Sequence, residues 1–533
     1  MRAAQRAYSS SAPVALIGAA LDAASLSSRT PVLFSDGSSL EASSFAARHL
    51  SVVRGSRCIV LTAPRGAARA GGVIASLRRG GFAPIPLALP DASPATGHLG
   101  EALSAARRTG ATWVVGVGSC ATLNVARALA ALLTAGSDAA AAVARGAAPT
   151  LTARSAPLLV VPTCAGAAEF TREAILLAEG GALTAVRTDA ASEQAALIDP
   201  SLAATLTDEP AFVTAFAVIA HAAEAVLRAD GTSAERGRAW FALELSARAL
   251  RSAARGGTGS DAEAARAAVA VASALTSGAL ASGPLGPARG TALAVATRYS
   301  ISYAAALAAL APTAIGALVD PLISAYEEVA ENEVAADEAR RSAPPVPRSG
   351  AGSGAPARPW TSPSRGAAFG AEQRVTPRQK GGAASEVRPL GVGDAVFSVD
   401  DEVPLFGEDQ DSAIVLSLRR YAAVGRLLED VAAGAPSVSA AAPWARLEDV
   451  LMGVKLNARG RADAALVGPA LASLRAVGAQ AAGLRGGAPV LADFGLTDAD
   501  FSAIADVAEV DDNTMTSLVP LRKSDIVGFL EKS

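Results

Sequence analysis

Histidine is almost missing from this chain: three residues, His49, His98 and His221, in 533. Imidazole is the commonest metal ligand at neutral pH, and a catalytic zinc or iron centre takes about three protein ligands, so each of the three bears on any metal site. Cysteine is equally scarce. Cys58, Cys120 and Cys164 are odd in number, widely spaced and contain no Cys-x-x-Cys pair, which excludes a disulfide framework or zinc knuckle and fits a reduced compartment. Charge of one sign is lacking too: 47 Lys and Arg against 50 Asp and Glu leave a net charge of −3, without the basic excess that nucleic acid demands. Strongly apolar runs are also missing, although 51% of the residues are hydrophobic. Much of that fraction is alanine, and the stretch from Tyr303 to Val319 is Ala-rich, carries Pro312 and follows Arg298. No segment offers the ~20 strongly apolar residues of a membrane span, so an integral membrane protein is not expected.

What is present begins with an address. "MRAAQRAYSSSAPVAL" carries Arg2 and Arg6, several serines and no acid before Asp22, a transit-peptide composition with a processing point near Tyr8 and Ser9. Residues 1–29 are therefore expected to be a transit peptide and N-terminal arm, directing the chain to mitochondria, with the plastid as the alternative. The length exceeds what one compact core accommodates and suits two domains.

From Thr30 to about Leu202 short apolar runs alternate with helical stretches. "TPVLF", "RCIVLTA", "FAPIPLAL", "ATWVVGVG" and "PLLVVPT" are separated by segments such as "ARAGGVIASLRRGG" and "CATLNVARALAALL". Continuous apolar strands joined by helices indicate a parallel sheet covered on both faces. Beyond about Pro210 the strand signals give way to helical periodicity, as in "AERGRAWFALELSARALRSAAR". The expected organisation is an α/β dinucleotide-fold domain over 30–205 and an all-α domain over 206–533. Between Pro344 and Pro389 lie eight of the thirty prolines, with seven Lys or Arg against two Glu and almost no aliphatic residues. Such a segment buries too little apolar surface to offset its ordering entropy, so a disordered Pro/Gly/Arg-rich insertion is expected at about 343–391.

Six blocks carry a resemblance: "DGSSL", "VVGVGSCATLNVAR", "VVPTCAGAAEFT", "LIDPSLAATL", "AFAVIAHAAEAV" and "FGLTDADFSAIADVA". In this order they resemble the iron-containing alcohol dehydrogenases, a superfamily that includes maleylacetate reductase, to one of whose blocks "PTCAGAAEFT" aligns without gaps. The resemblance implies the dehydroquinate synthase-like two-domain fold and NAD(P)-dependent oxidoreductase ancestry. It also implies a phosphate-binding loop, in which glycines let backbone N–H groups approach a pyrophosphate at a helix N-terminus. Here the loop after Gly116 reads Gly118, Ser119, Cys120, Ala121, Thr122, Leu123, Asn124, Val125, Ala126, Arg127. Two of the three family glycines carry side chains, and the family's acid and lysine are Asn124 and Arg127. Gly116, Gly118, Ser119, Thr163 and Thr171 are the remnant candidates for cofactor contact. No cofactor is expected, with NAD(P) as the cofactor allowed. Cys164, with no Lys or His in its block to lower its pKa, reads as a packed, inert thiol.

The resemblance further implies a metal held by an Asp and a His spaced i, i+4 on one helix and by two later histidines. His221 matches the first His, while Ala217 replaces the acid and Arg289 and Tyr303 replace the later pair. A further family histidine aligns with Leu293. Three of four ligand positions are thus replaced, so no metal residue is assigned. His221, Arg289 and Tyr303 remain as candidates for a remnant catalytic site, with Arg289 expected at the vacated metal position, stacked on Tyr303 and depressing the pKa of His221. Alternatively His221 fills a helix contact, hydrogen-bonded to Glu224 or a backbone carbonyl. The leading expectation is a non-catalytic structural or assembly subunit in mitochondria, paired as a homodimer or with other mitochondrial subunits. The alternative is a metal-independent NAD(P)H-dependent oxidoreductase acting on a small oxo-acid, and a third is a protein that binds dinucleotide without chemistry.

Overall fold

The computed structural model describes residues 30–342 and 410–533, except 64–65, 91–95, 136, 147–153, 167–169, 172, 179–182, 188–192, 204–208, 256–259, 284, 300, 435–446, 448–449, 452–453, 455, 457, 483, 485–489 and 510–520. The expected transit segment and the insertion at 343–391 lie outside the described residues. Two compact units divide the chain, one comprising residues up to Val329 and from Phe406 onward, the other Ala330–Leu405.

Among the described residues eight strands fall before residue 199: β1 (Val32–Phe34), β2 (Arg57–Thr62), β3 (Ala83–Ala88), β4 (Trp113–Gly118), β5 (Leu158–Pro162), β6 (Glu173–Leu177), β7 (Leu183–Arg187) and β8 (Gln194–Ile198). Six of them form one sheet in the order β1-β8-β5-β4-β2-β3, with every pairing parallel. The central strands β4 and β5 are buried along their whole length, which is why their sequences are continuous apolar runs with no alternation. Helices α1 (Ala42–His49) and α2 (Ala67–Arg79) cover one face, packing Phe45, Val73 and Leu77 on Val60, Val115 and Val161. Helices α3 (Thr96–Thr109) and α4 (Cys120–Thr134) cover the other, packing Leu99, Leu103 and Leu129 on Ile59, Leu61 and Val114. A short helix, α5 (Ser137–Ala144), follows.

β6 and β7 make a separate antiparallel pair, a hairpin absent from the expected alternation of parallel strands and helices. Its apolar side, Ala174, Leu176 and Val186, packs into the same core as α4. β8 then returns to the sheet between β1 and β5. Two sequence blocks meet there. Asp199, just past β8, accepts hydrogen bonds from Gly37 N and Ser39 N at 3.0 Å each, and from Ser201 N at 3.0 Å. Gly37 sits at φ +74°, a left-handed conformation that a side chain would strain. Burial alone would raise the Asp199 carboxyl, but the hydrogen bonds from Ser201, Ser39 and Gly37 hold it below the usual carboxylate range.

From residue 209 onward the described elements are helical: α6 (Glu209–Leu227), α7 (Ser233–Ala254), α8 (Ser260–Ser282), α9 (Pro287–Tyr299), α10 (Tyr303–Gly316), α11 (Val319–Ser342), α12 (Gln410–Ala433), α13 (Ala458–Ala465), α14 (Val467–Ala481), α15 (Asp498–Ala508) and α16 (Lys523–Leu530). α7 opens with a capping box between Thr232 and Glu235, which satisfies two otherwise orphaned N–H groups. α6 runs through the middle of the bundle and packs on α7, α8, α10 and α12, so it is apolar around nearly its whole circumference. Asp261–Ala281 and Tyr303–Glu328 are long and apolar enough, by length and composition, to cross a membrane, contrary to the expectation that no segment reaches that limit. Their windows are 78% and 67% buried within the fold; alanine gives them hydropathy, and neighbouring helices cover them.

Candidate functional site

The sheet creates one crevice by its connectivity. β2 leads through α2 outward to β3, while β4 leads through α4 the other way to β5, so the carboxyl ends of β2 and β4 flank a topological switch point, the usual ligand position in an open α/β sheet. The Gly118–Cys120 junction lies there. Its glycines are required by packing: a Cβ on Gly116 would approach the Ala126 methyl to 2.7 Å, and one on Gly118 would meet Thr122 Oγ1 at 2.5 Å. Ser119 occupies the N-cap position of α4, and its carbonyl accepts from Leu123 N at 2.9 Å, but its side chain makes no capping bond.

The substituted positions of this loop have acquired neighbours of their own. Cys120 Sγ donates to the Gly166 carbonyl at 3.0 Å, and a Cβ on Gly166 would come within 2.0 Å of that sulfur. The thiol therefore fills space between the β4–α4 turn and the β5–β6 loop. Asn124 Oδ1 accepts from Ile175 N of β6 at 3.4 Å. Arg127 is fully buried, with Nε donating to Gln194 Oε1 of β8 at 3.3 Å. Both side chains thus serve contacts between α4 and strands. Thr163 is buried and its N–H donates to the Gly118 carbonyl at 2.9 Å, while Thr171 is half-buried. The loop between them is pinned to the helical domain, Gly166 N donating to Ser273 Oγ at 2.9 Å and Phe170 N to Ser277 Oγ. Cys164 is half-buried in this loop.

The second cluster lies on α6. Ala217 and His221 are one turn apart and both buried. His221 Nε2 and Tyr303 Oη are 2.6 Å apart, with the rings stacked at 5.8 Å and 19°. Its Nδ1 is buried with no hydrogen-bond partner among the described residues. Burial, and then the charge of Arg289, hold the His221 imidazole down to about 3, so it is neutral at physiological pH. Two expected contacts are corrected. Tyr303 stacks on His221, and Arg289 instead reaches Glu173 of β6, with Nη2 3.8 Å from Oε2. Glu224 does not bind His221; its Oε1 accepts from Ala288 N at 2.8 Å and from Arg289 N at 3.4 Å. The buried carboxylate thus caps the N-terminus of α9, where the helix dipole favours an anion. Leu293, one turn beyond Arg289, is half-buried.

The structure therefore brings His221, Tyr303 and Arg289 together, with Ala217 one turn before His221, and places the Gly116–Ser119 group at the switch point with Thr163. It adds Glu173, Ser273 and Ser277 and gives Glu224 a different partner, all through contacts far apart in sequence that leave no local signal. Among the described residues no group of three His, Cys, Asp or Glu side chains could hold a metal ion. The donor set at the positions aligned with the family's metal ligands is a single imidazole already engaged by a phenol, beside a guanidinium. These residues do not fit a divalent metal, which needs about three donors and no adjacent fixed cation.

Residues 30–200 match the family model for iron-containing alcohol dehydrogenase. Among solved structures the chain is similar to a 1,3-propanediol oxidoreductase, at 17% identity over 94% of this chain and 97% of that one with a TM-score of 0.60. It is similar to an alcohol dehydrogenase from Oenococcus oeni, at 17% identity over 94% and 97% with a TM-score of 0.62. A maleylacetate reductase from Agrobacterium tumefaciens aligns at 16% identity over 94% and 95% with a TM-score of 0.52. At these identities the likeness is one of fold. No curated protein sequence matches the chain.

Proposed function

We propose that this chain, whose residues 30–200 match the iron-containing alcohol dehydrogenase model, is a member of that superfamily that has lost the metal-dependent chemistry and acts as a non-catalytic structural or assembly subunit in mitochondria. The observation that carries this reading is the His221–Tyr303 pair. At 2.6 Å, with the imidazole buried and Arg289 beside it, the one matching ligand position is spent on an internal contact. A neutral imidazole without solvent access is also a poor general acid. The cofactor side points the same way, since Cys120 fills the turn where the family has a glycine, and Asn124 and Arg127 are committed to β6 and β8. The mitochondrial address rests on the composition of residues 1–29. We place the protein outside the membrane, since its two apolar helices spend most of their surface on the protein's own core. A homodimer or a complex with other mitochondrial subunits is the setting proposed for it.

Titration of the purified mature chain with NADH and NADPH tests the reading. No saturable heat or fluorescence change is expected at millimolar cofactor, and tight binding would move the assignment to a metal-independent NAD(P)H-dependent reductase of a small oxo-acid. One observation favours that second reading: Arg289 lies beside His221 with its side chain only 13% exposed, which is a setting for a substrate carboxylate. Elemental analysis supplies the companion test. Zinc and iron are expected to be substoichiometric; about one metal per chain, lost in His221→Ala, would overturn the loss of the metal site.

A further inference from the structure

The two cysteines that are not sealed in the core lie on neighbouring strand ends. Gly118 of β4 and Pro162 of β5 are register partners, and the ladder continues one step further through Thr163 N to the Gly118 carbonyl at 2.9 Å. Cys120 and Cys164 each stand two residues beyond that pair. That last register pair sets the two chain segments side by side where they leave the sheet, and a disulfide spans Cα atoms about 4.4–6.8 Å apart. Cys120 Sγ already bridges to this loop, bonded to the Gly166 carbonyl at 3.0 Å. Both residues are half-exposed, whereas Cys58 is fully buried in β2. Cys120 also opens a helix of 15 residues.

We propose that Cys120 and Cys164 form a reversible intramolecular disulfide, a redox-sensitive staple that ties the β4–α4 turn to the β5–β6 loop. With a peroxide as oxidant, the Cys120 thiolate attacks one peroxide oxygen, the O–O bond breaks, and the sulfur becomes a sulfenic acid as water leaves. The Cys164 thiolate then displaces the hydroxyl from that sulfur and forms the S–S bond, releasing the second water. The net change is two thiols and one hydrogen peroxide to one disulfide and two waters. Because Ser273 and Ser277 pin the β5–β6 loop to α8, the staple would also fix the seam between the sheet and the helical bundle.

Peptide mapping of the full native chain tests it. The reduced protein is exposed briefly to hydrogen peroxide, alkylated with N-ethylmaleimide after unfolding, and cut with trypsin. Cys120 and Cys164 fall in separate tryptic peptides, Thr109–Arg127 and Ser155–Arg172, and Cys58 falls in Cys58–Arg65. Alkylatable thiols should drop from three to one. The two large peptides should appear as one linked species that dithiothreitol releases, and Cys58 should remain the alkylated control, since burial pushes its thiol up to about 12. Dimedone added during oxidation of Cys164→Ser should trap the sulfenic acid on Cys120. Recovery of both peptides alkylated, oxidation of each sulfur without a link, or a link between two chains would each overturn the proposal. This readout does not depend on cofactor binding, so its failure is separate from failure of the non-catalytic reading.

Discussion

At the scale of single residues, His221 is the side chain whose surroundings decide most. Its folded-state proton affinity, held down to about 3 against 6.5 for the free group, makes a signed prediction. Between those values the unfolded chain binds the proton and the folded chain does not, so acid favours unfolding. The contribution of His221 is complete above about pH 6.5 and is lost progressively as pH falls toward 3. Chemical denaturation across that window should show His221→Gln with a flatter pH dependence than the parent chain, and an equal slope would contradict the buried neutral imidazole. Tyr303→Phe removes the hydroxyl and leaves Nε2 buried without its partner. A loss of about 1–3 kcal/mol is expected in the same denaturation at neutral pH, and a neutral effect would mean that the 2.6 Å contact contributes nothing.

At the scale of elements, the junction between α6 and α9 is held by one carboxylate. Glu224 caps α9 through Ala288 and Arg289, and Gly286 makes the approach possible, because a Cβ there would lie 2.6 Å from Glu224 Oε1 and 3.0 Å from its Cδ. Glu224→Ala should cost roughly 1–2 kcal/mol, as loss of a helix cap does. Gly286→Ala should cost about 1–3 kcal/mol through overpacking. The two effects share one contact, so thermal or denaturant unfolding of the double variant should show less than their sum; strict additivity would separate Gly286 from Glu224. How legible these elements were depends on where their partners lie. β2, β4 and β5 are readable as continuous apolar runs because both faces of the sheet are covered. The β6–β7 hairpin escapes that reading: Glu173-Ala-Ile-Leu-Leu places a charge and half-exposed positions on one side of a short strand, and antiparallel pairing leaves no helix-length connection behind it. His221 stood out by rarity and by its place in the family pattern, and Arg289 and Tyr303 by alignment with it. Their actual partners could not be read, since the pairing of Arg289 with Glu173 and the commitment of Glu224 to α9 are products of tertiary packing with no local spacing to mark them.

At the scale of the whole molecule, the α/β and helical parts meet where the positions aligned with the family's site cluster, so the proposed losses of metal and of cofactor binding can be tested separately by restoring those positions in sets. The triple variant Ala217→Asp, Arg289→His, Tyr303→His rebuilds the donor set around His221. Metal uptake measured by elemental analysis should rise to about one ion per chain while dehydrogenase activity stays absent, which would place the remaining defect in the Gly118–Ala121 turn. Appearance of activity would show instead that the turn still accepts the cofactor. The helical bundle carries a further consequence, concerning temperature. Its inner helices are lined by Ala267, Ala268 and Ala272 of α8 and by Ala306, Ala308 and Ala309 of α10, all essentially inaccessible. Each methyl shields little hydrocarbon for the backbone amides buried with it, and apolar exposure on unfolding raises heat capacity while polar exposure lowers it. Calorimetry should accordingly give a heat-capacity increment per residue below the usual ~12–15 cal/mol/K, and hence a broad, shallow stability curve in which warming and cooling erode the fold slowly.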